Sequence, residues 1–208
     1  PAEGGRVADH ASPSTPPDRL VMPELRQPKL PIAAVPCTAS AAEVTPSLGI
    51  RTQDGTKLLF TDVQLASRLI IIDPAANVSV PARLMLSTGM NGLAHCVEGL
   101  YSKVQTPITR ALAEDGIRRF LEALPAVARE PDSVEHRGAL LIAAHLSGQV
   151  LLNARTCLHH AICHVLGAST GVSHGDANCV MLPVVAAFNG EEALSGKISS
   201  LRKELGVP

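Results

Sequence analysis

Aromatic side chains are nearly missing from this chain: its 208 residues hold no tryptophan, one tyrosine and three phenylalanines. Stacking platforms for nucleic-acid bases are thereby excluded in practice, and any pocket must be lined by aliphatic, histidine and small side chains. Charge is thin as well. Charged residues make up 18% of the chain and the formal net charge is -1, so no nucleic-acid footprint or polybasic membrane patch is indicated. There is no signal peptide and no uncharged apolar run of about 18 residues, which makes a soluble cytoplasmic protein the expectation. The five cysteines, Cys37, Cys96, Cys157, Cys163 and Cys179, lack C-x-x-C spacing and are odd in number. Free, buried thiols in a reducing compartment are expected. An initiating methionine is also missing, which suggests a processed chain or a piece of something longer.

What is abundant is histidine in one place. The stretch LHHAICHVLGASTGVSHG, residues 158–175, carries four of the eight histidines. His160 and His164 stand four apart, on one face of a helix expected over residues 154–166. His174 follows a turn rich in Gly, Ser and Thr, expected over residues 167–175. A second stretch, MNGLAHCVEGLYS, repeats the spacing with Asn91 and His95. Two helices can therefore point His95, His160, His164 and His174 into one cleft, with Asn91 beside them. His159, one step round the helix, should pack or pair elsewhere. Cys163 and His164 face about 100° apart and are expected to be neighbours in sequence only.

Along the chain, residues 1–29 are rich in Pro, Gly and small polar residues and read as an irregular or mobile segment. Residues 30–80 are strand-rich. LPIAAVP reads as a buried strand ended by Pro36, SLGIRTQDGTKLLFTD as two strands around an Asp54-Gly55 turn, and SRLIIIDP as a strand closed by Asp73-Pro74. Residues 81–208 read as all-helical. Residues 82–101 read as one helix, or as two broken near Ser87-Thr88-Gly89. A second starts at Pro107 and ends at Pro125, a third covers residues 133–153, and an apolar helix covers residues 176–188. A charged, weakly amphipathic helix closes the chain. His145 reads as a histidine of the core or one supporting the cluster from behind. The fold class is thus α/β followed by all-α.

Imidazoles at this spacing suit a first-row divalent ion, and a neutral Asn91 amide would hold it more weakly than a carboxylate. Without metal, the same histidines can stabilise an oxyanion, act as general acid or bind a dicarboxylate. A purely structural histidine cluster stays open beside both.

These motifs, with the LPIAAVPCTASAAEVTP and IIIDP segments, the PIT…LAEDGIR…LP run and LHHAICHVLGASTGVSHGDANCVMLPVVAAFN, resemble the iron-containing alcohol dehydrogenase superfamily. Within it they are most similar to the maleylacetate reductases. The resemblance implies a dehydroquinate synthase-like fold: a partial nucleotide-binding α/β domain, then a helical domain, with the site between. It implies NAD(P)H as cofactor, a small dicarboxylate as substrate, a homodimer, and reduction of maleylacetate to 3-oxoadipate in aromatic-compound degradation. It assigns His164, His95, His160 and His174 to catalysis and Thr38, Ala41 and Thr45 to the cofactor side. No tightly held metal is expected. In an iron- or zinc-dependent alcohol dehydrogenase, the first alternative, the ligands would fall on Asn91, His95, His160 and His174. The second alternative is an inactive fragment serving assembly. Two departures stand out: the family's glycine-rich pyrophosphate segment has no counterpart here, and Cys37, Ala41 and Ala42 replace a hydroxyl, a glycine and a second hydroxyl.

Overall fold

The computed structural model describes residues 5–12, 14–15, 19–20, 27–53 and 57–189. The Asp54-Gly55 turn and the closing charged helix lie outside the described residues. The chain divides into two compact units. One comprises Pro1–Val35 with Ala42–Ile71, and the other Pro36–Ala41 with Ile72–Pro208.

The first unit is made of short pieces. Residues β1 (Ser14–Thr15) and β2 (Arg19–Leu20) pair antiparallel, as do β4 (Ser47–Arg51) and β5 (Lys57–Thr61), whose register sets Ser47 opposite Thr61 and Arg51 opposite Lys57. Ser12 ties the early chain to this hairpin: its N–H donates to the Leu59 carbonyl and its Oγ accepts from the Thr61 N–H. Only Ala33–Ala34 of LPIAAVP forms a strand, β3, pairing parallel with β6 (Leu69–Ile70). It is not the buried strand its composition suggests, since Leu30 is 87% exposed and Ile32 and Val35 are also exposed. A parallel pair buries its side chains only when both faces are covered, and two-residue strands cover little.

The second unit is helical. Asp73-Pro74 opens a helix instead of closing a strand: Asp73 Oδ1 accepts from the Ala75 N–H and Pro74 is the first residue of α1 (Pro74–Asn77). Then come α2 (Ala82–Tyr101), α3 (Pro107–Arg129), α4 (Val134–Ala154), α5 (Leu158–Thr170) and α6 (His174–Asn189). Helices α2, α3 and α4 pack on one another around Met85, Phe120, Leu140 and Val150, α6 lies on α2, and α5 on α6.

Helix α2 is unbroken at Ser87-Thr88-Gly89. Both hydroxyls turn back to the Leu84 carbonyl, and the glycines of α2 serve close packing instead. A Cβ on Gly99 would lie 2.3 Å from Val150 Cγ1, and one on Gly92 2.5 Å from Phe120 Cζ. Nor does Pro125 end α3, which runs on to Arg129. The proline is on the exposed side, so the carbonyl it leaves unpaired can meet water, while Ala123 and Val127 around it are buried. The histidine helix starts four residues later than its apolar run, because α4 continues to Ala154 and the chain then bends at Arg155. Gly171, in the left-handed region, ends α5.

Arg155 takes φ 60° and ψ -175°, a region that only glycine occupies without strain of about 1–3 kcal/mol. Its side chain is exposed. Glycine there loses about 0.5–1 kcal/mol in unfolded-chain entropy, so Arg155→Gly should raise unfolding free energy by about 1 kcal/mol. Thermal unfolding of the two proteins checks this, and a lowered midpoint would contradict it.

Candidate functional site

The site grows from three helix segments of the second unit. Helix α2 presents Asn91, His95 and Glu98 at i, i+4 and i+7, which is one face. Helix α5 presents His159, His160 and His164, and α6 begins at His174, brought round by the turn after Gly171. The structure gathers all four histidines singled out by spacing. The His95 and His160 rings stack with centroids 4.7 Å apart and planes 19° from parallel. His160 lies 5.7 Å from His174 and 6.4 Å from His164, and the rings of His164 and His174 stack at 5.2 Å. Asn91 Oδ1 is 3.0 Å from His160 Nε2. The cluster is graded: Asn91, His95 and His160 are buried, whereas His164 and His174 are exposed.

Two residues join the cluster beyond those expected. The first is Glu98, fully buried. Its Oε2 accepts from His160 Nδ1, and its Oε1 accepts from the Cys157 and His160 backbone N–H groups and from the Tyr101 hydroxyl. The signal was present in the sequence, because Glu98 continues the Asn91–His95 face by one more turn. The second is His159, which does not leave the cluster. It is 1% exposed, its Nδ1 is 3.4 Å from His160 Nδ1, and its Nε2 is 3.3 Å from the Asn178 carbonyl oxygen. Cys163 does meet a histidine, but the one a turn back: Sγ is 3.6 Å from His159 Nε2. Burial keeps this thiol above the ordinary cysteine range, so it is no thiolate. None of the five cysteines forms a disulfide; Cys96 and Cys163 are buried, but Cys37 is exposed. His145 sits half-buried on α4.

Among the described residues, one set of three His, Cys, Asp or Glu side chains could hold a metal ion: Glu98, His159 and His160, whose ligand atoms lie within 4.8 Å of one another. The alternative set of Asn91, His95, His160 and His174 is arranged differently. Asn91 faces His160 Nε2, the rings of His95 and His160 stack on each other, and the buried His95 Nδ1 has no hydrogen-bond partner.

Of the residues expected on the cofactor side, Thr38 and Ala41 belong to the helical unit and Thr45 to the other. Thr38 Oγ1 shares a hydrogen bond with Ser40 Oγ at 3.1 Å, while the Thr45 hydroxyl bonds the Ala42 carbonyl at 3.0 Å. Ala41 is fully buried with φ 61°, a left-handed conformation that glycine adopts freely. The segment 36–41 is held to the helices by Asn77 Nδ2 donating to the Cys37 carbonyl and by the Ala39 N–H donating to Thr88 Oγ1.

Burial, reinforced by the imidazoles of His160, His174 and His159, holds His95 well below the ordinary histidine range, and burial lowers His159 too. For Glu98, burial alone would raise the carboxyl; its hydrogen bonds from the His160 ring and from the His160 and Cys157 backbone N–H groups outweigh this and lower it. Each shift acts the same way. The unfolded chain binds protons on these histidines from about pH 6.5 downward while the folded one resists. The Glu98 contribution is present above the ordinary carboxylate range and is lost as pH falls through its lowered folded value. The urea midpoint should therefore fall steadily between about pH 7 and about pH 5. A midpoint flat across that window would contradict the assignment of His95 and His159 as neutral buried rings.

No helix among the described residues is long and apolar enough to cross a membrane. The family model for the C-terminal part of the Fe-containing alcohol dehydrogenases matches residues 85–208. The maleylacetate reductase of Sphingobium indicum is 36% identical over 160 residues, covering 77% of this chain and 45% of its own. The chain thus spans about half the length of the curated relatives it matches. The crystal structure of maleylacetate reductase from Agrobacterium tumefaciens superposes with a TM-score of 0.75 at 32% identity, covering 82% of this chain and 48% of that one. The sulfoacetaldehyde reductase of Bifidobacterium kashiwanohense, solved with NAD+, gives a TM-score of 0.78 at 26% identity over 99% of this chain and 58% of its own. The expected fold, a partial α/β part followed by a helical domain, is the one found, with six α-helices among the described residues, and it matches these structures.

Proposed function

Since the chain belongs to the Fe-containing alcohol dehydrogenase family, we propose that it serves as an NAD(P)H-dependent reductase of maleylacetate or a closely similar unsaturated oxo-dicarboxylate, working without a tightly held metal. The observation that carries this is Asn91 facing His160 Nε2 at 3.0 Å. A neutral amide, already engaged, stands where a metal-dependent member would need a charged ligand. Relatives similar to this chain include maleylacetate reductases, and the exposed pair His164 and His174 offers imidazoles to a substrate carboxylate.

When bound, the reduced nicotinamide supplies a hydride to the substrate's carbon–carbon double bond. The protein's residues would do the rest. His164 and His174 orient the dicarboxylate, and His164 donates one proton, replenished from solvent, to the carbon beside the new C–H bond, giving 3-oxoadipate. His95, held neutral by burial, offers an N–H donor to the enolate oxygen, with His160 beside it. Thr38, Ala41 and Thr45 would line the cofactor; of these, the paired hydroxyls of Thr38 and Ser40 fit a polar ligand best, since Thr45 already donates to its own backbone. On the same reading the protein acts in the cytoplasm as a homodimer.

A metal-dependent dehydrogenase is the second reading, favoured by the Glu98, His159 and His160 set. Following NADH oxidation with maleylacetate, with chelator and then with added divalent metal, tests both. Substrate-dependent oxidation that chelator leaves unchanged is the expected result. Activity only with iron or zinc overturns the metal-free part. Failure to bind NADH at all would make the chain an assembly domain.

A further inference from the structure

We propose that Glu98 is the positioning residue of the site: its single carboxylate both starts the histidine helix and fixes which nitrogen of His160 faces the cluster. The proposal deepens the reductase reading and borrows from it only the role of His160.

Helix α5 begins without a cap of its own. Cys157, its N-cap residue, makes no side-chain capping bond, so the first N–H groups of the helix need an acceptor from elsewhere. Glu98 Oε1 supplies it across the helix interface, at 2.8 Å from the Cys157 N–H and 3.3 Å from the His160 N–H. A negative charge also suits the positive end of the helix dipole. The other oxygen, Oε2, accepts from His160 Nδ1. An ionised carboxylate can only accept, so the proton of that bond sits on Nδ1; the bare Nε2 then needs a donor, which the Asn91 amide supplies by presenting its NH2 at the 3.0 Å contact in place of Oδ1. Glu98 and His160 are 0% and 2% exposed, so water does not compete for either bond. A carboxylate behind a working histidine commonly fixes its tautomer and ring orientation in this way. Here the same group also sets the register of the helix that carries the ring.

The test uses the whole chain and two variants. Nitrogen-15 spectra of the histidine rings should show the wild-type His160 protonated at Nδ1. In Glu98→Gln the amide keeps an oxygen for the backbone N–H groups but can turn its NH2 toward the ring. His160 is expected to switch to Nε2–H with helix content unchanged. Glu98→Ala should in addition expose the first turn of α5 to amide hydrogen exchange. In the reductase assay Glu98→Gln should lower kcat at least tenfold with KM changed less than threefold. A wild-type His160 lacking the Nδ1 proton, or a tautomer unmoved in Glu98→Gln, overturns the proposal. The wild-type spectrum decides it even if a variant does not fold. If the wild-type chain fails to oxidise NADH with maleylacetate, the reductase reading falls while the spectra still judge Glu98.

Discussion

Arg137→Met should lower the unfolding free energy by about 3 kcal/mol, since burying unpaired acceptors costs roughly 1–3 kcal/mol each and deleting a buried charge returns part of it. Arg137 is 1% exposed. Among the hydrogen bonds of the described residues, its guanidinium donates to three acceptors and to no carboxylate: the Pro131 carbonyl, the Asn77 carbonyl and Asn77 Oδ1. Asn77, itself fully buried, passes the connection on, donating from Nδ2 to the Cys37 carbonyl and to Met85 Sδ. One cation in α4 thus organises the end of α1 and, through it, the segment 36–41 with Thr38 and Ala41. Methionine fills a similar volume but satisfies none of those oxygens. Urea unfolding of Arg137→Met, Asn77→Ala and the double variant checks both size and route. The two losses should be less than additive, since both changes cut one chain of bonds. A loss below about 1 kcal/mol, or strict additivity, would show that the bonds carry little.

Helical spacing made the histidine site legible. Asn91 with His95 and His160 with His164 each stand one turn apart, and an imidazole-rich stripe on an apolar helix has few places to go but a shared interior. The hairpin of β4 and β5 was legible from a different signal, the Asp54-Gly55 turn dipeptide between two short strands. What failed was punctuation. Pro125 and Ser87-Thr88-Gly89 look like breaks, yet an exposed proline and two hydroxyls bonded back to Leu84 leave the helices intact. Local preference is decided there by which side of the helix faces water and by Leu124 and Leu140 packing closely on Gly89. Likewise LPIAAVP reads as a core strand because composition says nothing about whether neighbouring strands cover it. Arg137 and Glu98 were missed for another reason. A lone charge in a helix reads as solvated surface, and only the approach of a distant carbonyl or helix start gives it a partner. For Glu98 the spacing offered a hint, one turn beyond His95; for Arg137 it offered none.

The Asn91→Asp variant should bind zinc at least about 100-fold more tightly than the wild-type chain, about 2.7 kcal/mol. A full negative charge a few ångströms from a dication contributes several kcal/mol even at an effective dielectric of about 20. Against that stand the cost of burying the carboxylate, since Asn91 is only 6% exposed, and the rearrangement that must free His160 Nε2 and turn the stacked His95 ring. Without metal the variant should therefore be less stable than the wild type, and saturating zinc should raise its melting temperature by more. Affinity should also weaken as pH falls, because a ligand imidazole must shed its proton to bind. Competition against a coloured chelator, in the wild type, Asn91→Asp and Glu98→Gln, measures all of this and locates the ion. Tightening in Asn91→Asp, with wild-type affinity weakened but not abolished by Glu98→Gln through the altered His160 tautomer, places zinc among Asn91, His95, His160 and His174. An affinity indifferent to Asn91→Asp but abolished by Glu98→Gln places it instead among Glu98, His159 and His160, and the amide at position 91 would then no longer account for weak metal binding.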